Sequence, residues 1–348
     1  MIRVAIADDS SFTCRLLASY LEEDAECAVV GMAHDAAATL DMVRRVTPDV
    51  LTLDLQMPGC DGLELLQQIT AEVRTGVVVI SGVTRLAAAM TLRALELGAV
   101  DFVLKFTPGA PVRRASLKRE ILTKIKTAAV AAIAPRRERR LPVPAVARPT
   151  TMRRRPAAFV GPTSAPIVIG ASTGGLRAIS ELLEHLPEDF KPPCIIVQHL
   201  PATFTTPFAT QLERHARVRV KEACAGDRLE SGLALVTPGD QHLVVRHDGI
   251  IELMPVTDDD PYRPSIDRTM TSIAESYGAA AAGVLLTGMG ADGVEGLKRI
   301  RDAGGDTYVQ DLASCVVTSM PERAIEAGVA GYVGRPERIA QLIARGRR

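Results

Sequence analysis

Short β-branched and aliphatic runs, each closed by glycine or a polar cluster, alternate along the chain with stretches whose apolar positions recur every three or four residues. That alternation is the signature of parallel βαβ units. Near the amino end the runs fall at 2–7, 28–33, 49–55, 76–81 and 99–105, with helical stretches between them and one after. Five such repeats predict a flavodoxin-like, doubly wound parallel sheet. Further on they fall at 167–170, 194–198, 217–222, 281–287, 305–310 and 329–333, predicting a second, larger α/β sheet, mostly parallel. One stretch departs from the rhythm. In "GLALVTPGDQHLVVRHDGIIEL" at 232–253, Pro238-Gly239-Asp240 and Asp248-Gly249 are turn signals, so an antiparallel hairpin insertion is expected there, leaving the second sheet mixed at one edge.

Between the two patterned regions the periodicity stops. From Pro135 to Pro162 lie eight arginines, one glutamate and six prolines, a net of +7. Proline blocks both helix and central strand, so this reads as an extended linker. The expected organisation is a first domain at 1–125, a linker at 126–163 and a second domain at 164–348, in keeping with 348 residues being long for one core. The whole chain is formally neutral, so the domains share the compensating negative charge, and a solvated basic tether is favoured over nucleic-acid or membrane contact. With no Trp, five Tyr and seven Phe, aromatic platforms for stacking bases are scarce and no nucleic-acid partner is expected. No apolar run reaches about 18 residues and the start has no signal-peptide pattern. A cytoplasmic protein without a transmembrane segment is expected. The six cysteines show no metal-binding spacing and read as small buried hydrophobes.

Candidate chemistry collects at predicted strand ends. In the first domain Asp8 and Asp9 follow the first strand, Asp54 ends the third, Ser81 the fourth and Lys105 the fifth. The carboxyl ends of a doubly wound sheet border one crevice. Carboxylates this close repel unless a cation sits among them, and hard oxygen donors with open positions suit Mg²⁺. Asp54 at the centre can accept a phosphoryl group as an aspartyl phosphate, with Lys105 and the Ser81 hydroxyl on its oxygens.

In the second domain "IVIGASTGG" at 167–175 has two readings. As a dinucleotide cradle it needs an acid about 20 residues on, where Gln198 and His199 stand instead; nor is any Tyr followed four places later by Lys. As a nucleophile turn it matches GxSxG at Gly170–Gly174 and projects Ser172. His199, at the next strand's end, can take the serine proton, and Asp292, in the glycine-rich turn of "GVLLTGMGADG", can orient the imidazole. Glycines around Met289 let backbone amides approach an oxyanion, and the helix starting near Thr173 adds its positive dipole end. Two rivals are a nicotinamide oxidoreductase and a regulated scaffold without turnover.

Residues 1–125 resemble the receiver domain of two-component response regulators, through "IADDS", "LDLQMPGCDGLELL", "VISG" and "TLRALELGAVDFVLK". The resemblance implies phosphorylation at Asp54, Mg²⁺ held by Asp8, Asp9, Asp54 and the Gln56 carbonyl, and Phe102 as the aromatic residue whose rotamer follows the phosphorylated state. Phe106 replaces the proline that usually follows the lysine. Residues 164–345 resemble the catalytic domain of chemotaxis protein-glutamate methylesterases, through "IGASTGG", "IIVQHLPATFTTPFATQL", "TPGDQHL", "YRPSID", "LLTGMGADGVEGL" and "QDLASCVVTSMPERAIEAG". This implies a Ser172, His199 and Asp292 triad, Thr173 helping to position the histidine, and the Met289 amide in the oxyanion hole. It further implies a phosphorylation-activated hydrolase that removes methyl esters from chemoreceptor glutamates and deamidates receptor glutamines. A chemotaxis histidine kinase would be the phosphodonor, the ester chemistry would use no cofactor, and the protein would be recruited to membrane receptor arrays. Leu200 stands where methionine is usual, and Ser319 where glycine is common before Met-Pro; neither is expected to touch the chemistry.

Overall fold

Residues 1–59, 61–105, 114–133 and 165–346 are described by a computed structural model. The first unit runs β1 (Ile2–Ala7), α1 (Ser11–Glu22), β2 (Cys27–Ala33), α2 (Ala36–Val46), β3 (Val50–Asp54), α3 (Gly62–Glu72), β4 (Gly76–Ser81), α4 (Arg85–Glu96), β5 (Asp101–Leu104) and α5 (Arg114–Ile133). Its strands lie in the order β2-β1-β3-β4-β5, every pair parallel. Each of the first four helices starts where a short polar side chain accepts a first-turn amide: Ser10, Asp35, Asp61 and Thr84. Such caps stabilise a helix start by about 1 kcal/mol each. Helix α5 runs on to Ile133, past the boundary expected at 125. The extension, "KTAAVAAI", is rich in alanine and meets no proline before Pro135, so nothing breaks the helix earlier. Phe106 and the tether from 134 to 163 lie outside the described residues.

The second unit runs β6 (Ile167–Ala171), α6 (Gly175–Glu184), β7 (Cys194–Gln198), α7 (Ala202–His215), β8 (Arg219–Glu222), β9 (Leu233–Val236), β10 (Gln241–Val245), β11 (Ile251–Pro255), α8 (Ile266–Tyr277), β12 (Ala282–Leu285), α9 (Val294–Asp302), β13 (Asp306–Gln310), α10 (Ser319–Glu326), β14 (Tyr332–Gly334) and α11 (Pro336–Gly346). Seven strands pair in the order β14-β13-β12-β6-β7-β9-β8, all parallel. The expected mixed edge is therefore corrected: β10 and β11 form their own antiparallel sheet. Strand β9, flanked in the sheet by β7 and β8, is buried at every residue, whereas β11 is buried mainly at one residue. The Pro238-Gly239 turn takes the chain off the main sheet, and the hairpin docks on α8 instead. There Thr269 Oγ1 donates to the Leu243 carbonyl and Ser276 Oγ to that of Val245.

The chain leaves β6 toward β7 on one side and later returns to β12 on the other. This reversal makes the carboxyl ends of β6, β7 and β12 a topological switch point, the crevice where α/β sheets bind ligands. The loops after those three strands carry Ser172, His199 and Asp292.

Candidate active site

After β6 the chain must turn sharply into α6. Gly174 takes φ +78°, and a Cβ there would lie 2.6 Å from Val316 Cβ, so a side chain is excluded both by conformation and by space. The half-buried Ser172 is held by its backbone: its N–H donates to the Thr287 carbonyl at 3.0 Å, and its own carbonyl accepts from Gly175 N–H at 2.8 Å and Gln198 Nε2 at 2.9 Å. The loop after β12 comes so near that a Cβ at Gly288 would lie 2.8 Å from Ser172 Cβ. Gln198, where a dinucleotide site would carry its acid, thus secures the serine turn.

His199 follows β7, and its Nε2 lies 2.8 Å from Asp292 Oδ2. An ionised carboxylate accepts, so Nε2 carries the proton and Nδ1 keeps the lone pair. Tyr262 stacks on the imidazole with centroids 5.5 Å apart, and its hydroxyl accepts the Ala291 N–H at 3.1 Å. Asp292 is fully buried. Its Oδ2 also accepts Ile266 N–H at 2.7 Å, while Oδ1 accepts Asp267 N–H at 3.0 Å and the Ser265 hydroxyl at 3.3 Å. Burial by itself would raise the Asp292 pKa. His199 and the Asp267 and Ile266 amides outweigh it and hold the carboxyl below its ordinary range.

Asp267 returns the favour to α9, accepting Gly293 N–H at 2.8 Å and Gly296 N–H at 2.7 Å through Oδ1. Asp292 therefore caps α8, the helix that carries Asp267, and Asp267 caps α9, the helix that follows Asp292. Burial, with the Asp292 charge beside it, pushes Asp267 up to about 6 despite those amides. Between roughly pH 4, the ordinary aspartate value, and pH 6 the folded protein keeps a proton that the unfolded chain releases. The contribution of this group to stability therefore falls as pH rises through that window. Asp267→Asn keeps an acceptor oxygen and removes the titration. It is expected to melt about 2–4 °C higher at pH 7.5, about 1 kcal/mol after solvent screening, and to lose less stability than wild type between pH 5 and 7.5. Equal losses in the two proteins would show that Asp267 is not the titrating group.

On the 288–290 loop, Gly288 N–H donates to the Val317 carbonyl at 3.1 Å and Gly290 N–H to Ser319 Oγ at 3.2 Å. Among the described residues nothing accepts from the Met289 N–H between them, so this amide can serve an incoming oxyanion. Ser319 Oγ also donates to the Gly288 carbonyl at 3.1 Å. The Ser319 hydroxyl thus brackets Met289, a contact the glycine common at this position could not make.

At the carboxyl ends of the first sheet, Asp8, Asp9 and Asp54 bring carboxylate oxygens within 4.8 Å of one another. Lys105 Nζ lies 2.7 Å from Asp54 Oδ2 and 3.0 Å from Asp8 Oδ2. Burial disfavours the Lys105 charge, but these two carboxylates outweigh it and raise its pKa. For Asp8 burial wins over the Ser10 amide and Lys105, and its carboxyl is pushed up. A hard divalent cation fits such a set and would relieve that penalty. Gln56 N–H donates to Asp54 Oδ1 at 3.0 Å. Ser81 Oγ accepts from Thr91 at 2.6 Å, and the Ser81 carbonyl accepts the Lys105 N–H at 2.7 Å.

Residues 167–343 match the CheB methylesterase family and residues 4–115 the response regulator receiver domain. The chain belongs to the CheB methylesterase family. It is 37% identical over 360 residues to a protein-glutamate methylesterase/protein-glutamine glutaminase of Lawsonia intracellularis, covering 99% of each chain. It is 41% identical over 345 residues to one numbered 2 in Pseudomonas aeruginosa, covering 98% of this chain and 96% of that one. The crystal structure of the Thermotoga maritima CheB methylesterase catalytic domain is similar at 34% identity, covering 53% of this chain and 98% of that one with a TM-score of 0.51.

The receiver presents α4, β5 and α5 to the methylesterase domain. Thr173, expected to position His199, instead donates its hydroxyl to Asp101 Oδ2 at 2.5 Å. Phe102 stacks on Phe204 with centroids 4.5 Å apart, and Lys124 reaches the Phe102 carbonyl at 2.6 Å while lying over its ring. Glu96 of α4 accepts from Gln211 of α7, and Thr127 of α5 lies 3.8 Å from Met289 Sδ. A cavity of about 740 Å³ remains at this junction, lined by Ser172, His199, Met289, Asp101, Phe102 and Arg263 among others. Asp101 and Tyr262 lie inside quoted motifs, and Gln198 beside the predicted His199, yet none of the three is marked by the sequence as part of the site. Their partners come from distant segments, so no local spacing announces them. No helix among the described residues is long and apolar enough to cross a membrane.

Proposed function

We propose that the protein hydrolyses glutamate γ-methyl esters of a chemoreceptor, deamidates receptor glutamines at the same site, and is switched on by phosphorylation of Asp54. Ser172 Oγ attacks the ester carbonyl carbon while its proton passes to His199 Nδ1. Asp292 stabilises the imidazolium through Nε2, and the Met289 N–H takes the oxyanion. Collapse breaks the bond to the methoxy oxygen, which receives the proton from Nδ1 and leaves as methanol. Water then attacks the glutamyl-enzyme, gives a proton to Nδ1, and releases glutamate with Ser172 restored. With a glutamine substrate the leaving group is ammonia. The observation that carries this reading is the buried Asp292 engaging His199 at 2.8 Å beside a serine held in a strand-to-helix turn.

In the receiver, the Asp8, Asp9 and Asp54 carboxylates and the Gln56 carbonyl would hold Mg²⁺, which when bound offsets charge between these carboxylates and a phosphoryl group. Asp54 takes the phosphoryl group from a histidine kinase. Lys105 and the Ser81 hydroxyl then bind its oxygens, drawing on the carboxyl end of β5, the strand whose amino end carries Asp101 and Phe102. Undocking uncovers Ser172. A tenfold activation needs only about 1.4 kcal/mol of difference between the docked and open states. The chemoreceptor substrate would bring the protein to receptor arrays.

The test is methanol release from a methyl-esterified chemoreceptor fragment with and without Mg²⁺ and acetyl phosphate. Stimulation of about tenfold is expected, and Asp54→Ala should keep the basal rate while losing the stimulation. No methanol under either condition would end the esterase reading. Equal stimulation of Asp54→Ala would end the switch.

A further inference from the structure

Strand β10 carries a second histidine, which no step of this chemistry uses. His242 is fully buried, and its Nδ1 accepts the Ser265 backbone N–H at 3.0 Å. An amide N–H only donates, so Nδ1 is unprotonated and the ring proton is on Nε2. Nε2 lies 3.1 Å from Asp260 Oδ2. Asp260 is itself tied down: Oδ2 accepts the Thr257 N–H at 2.7 Å and hydroxyl at 2.9 Å, and Oδ1 accepts Arg268 at 2.6 Å. The Thr257 amide, and after it His242, hold the Asp260 carboxyl well below its usual range, so it lies beside Nε2 as a negative charge, without an aligned hydrogen bond.

Ser265 is where this buried pair meets the active site. Its N–H goes to His242, its hydroxyl to Asp292 Oδ1, and the next two amides, Ile266 and Asp267, both go to Asp292. Three consecutive residues thus form the cradle of Asp292, and His242 anchors the first of them. The cradle opens α8, the helix on which the β10–β11 hairpin docks.

We propose that His242 is a positioning residue for ester hydrolysis: through Nδ1 it fixes the Ser265–Asp267 backbone and so sets where Asp292 holds His199. The hairpin is then part of the catalytic scaffold. This rests on the reading of Asp292 as the group that orients His199. A small displacement at a catalytic group can cost on the order of 10²-fold in rate, so a rigid anchor one residue removed from the carboxylate contacts has a measurable role.

The experiment compares variants of the full chain, with Mg²⁺ and acetyl phosphate, on the methyl-esterified receptor fragment. Asparagine carries Oδ1 at the bond position of Nδ1 and can accept from Ser265. Glutamine reaches instead toward the Nε2 position and gives up that acceptor. His242→Gln is expected to lower kcat about 10- to 100-fold with KM unchanged, and His242→Asn to recover most of the loss. His242→Leu, which has no polar nitrogen, should read the same loss as His242→Gln if glutamine is not accommodated in the fold. Thermal melting of each variant separates unfolding from loss of turnover, and Asp292→Asn serves as the reference. Wild-type kcat in folded His242→Gln or His242→Leu, alongside an impaired Asp292→Asn, would overturn the positioning role and leave the triad standing. His242→Asn no better than His242→Gln at equal melting temperature would overturn it as well. Full turnover by Asp292→Asn would remove the triad reading, and this proposal with it.

Discussion

Methanol release by Ser172→Ala is expected to fall about 10⁶-fold, the scale seen when a triad serine is removed from a protease, while the melting temperature stays within the change of about 0.5 kcal/mol typical of a neutral substitution. The separation follows from how the residue is held. Its N–H donates to the Thr287 carbonyl, and its carbonyl accepts from Gly175 and Gln198; all three contacts are made by backbone atoms of Ser172. Alanine retains them and deletes only the hydroxyl. Turnover assayed on the receptor fragment beside a thermal melt checks both halves. Substantial methanol release by this variant would move the nucleophile elsewhere on the cleft.

Asp292→Asn should behave differently, losing about 10⁴-fold in kcat and also stability. Four donors converge on this carboxylate: the Ser265 hydroxyl, the Ile266 and Asp267 amides, and His199 Nε2. Asparagine offers one acceptor oxygen and turns an NH₂ group toward the remaining donors. Leaving a buried amide without its partner costs about 1–3 kcal/mol, so the melt should shift down as the rate falls. A second signature is the pH dependence of wild-type stability. The Asp292 carboxyl is held below its ordinary range, chiefly by His199 acting against burial. Its contribution is therefore present above about pH 4 and lost as pH falls through the lower, folded value. Asp292→Asn should lose that acid-side slope. A variant as active as wild type would mean His199 needs no carboxylate.

The two substitutions also separate two kinds of residue at the site. On the proposed mechanism, Ser172 does chemistry from a backbone frame that would exist without it. Asp292 would be both part of the frame and part of that chemistry, because it closes the amino end of α8 while it holds the imidazole. Asp267 answers it at the start of α9, where burial first and the neighbouring Asp292 charge second push its pKa up to about 6.

Much of this was legible along the chain. Alternating periods of two and 3.6 residues are local properties, so strands such as Ile2–Ala7 and Cys194–Gln198 could be read where they lie, and with them the loops at their carboxyl ends. Ser172, His199, Asp292 and Asp54 stood out because glycine turns and acids at strand ends are local too. The arrest of periodicity at the arginine-rich tether divided the chain, although helix α5 ran further than the boundary drawn, since alanine signals no stop before Pro135.

The tertiary structure decided everything that depends on pairing between distant segments. It set β6 between β7 and β12, which turns three separate loops into one crevice. It set Nε2, rather than Nδ1, of His199 against Asp292. It gave the Thr173 hydroxyl to Asp101 of the receiver rather than to the histidine, put Ser319 around Met289, and moved the hairpin off the sheet onto α8, where His242 meets Ser265. A residue's type and period limit which face it can occupy, but which partner it meets depends on how whole elements pack, and packing is a property of all the contacts at once.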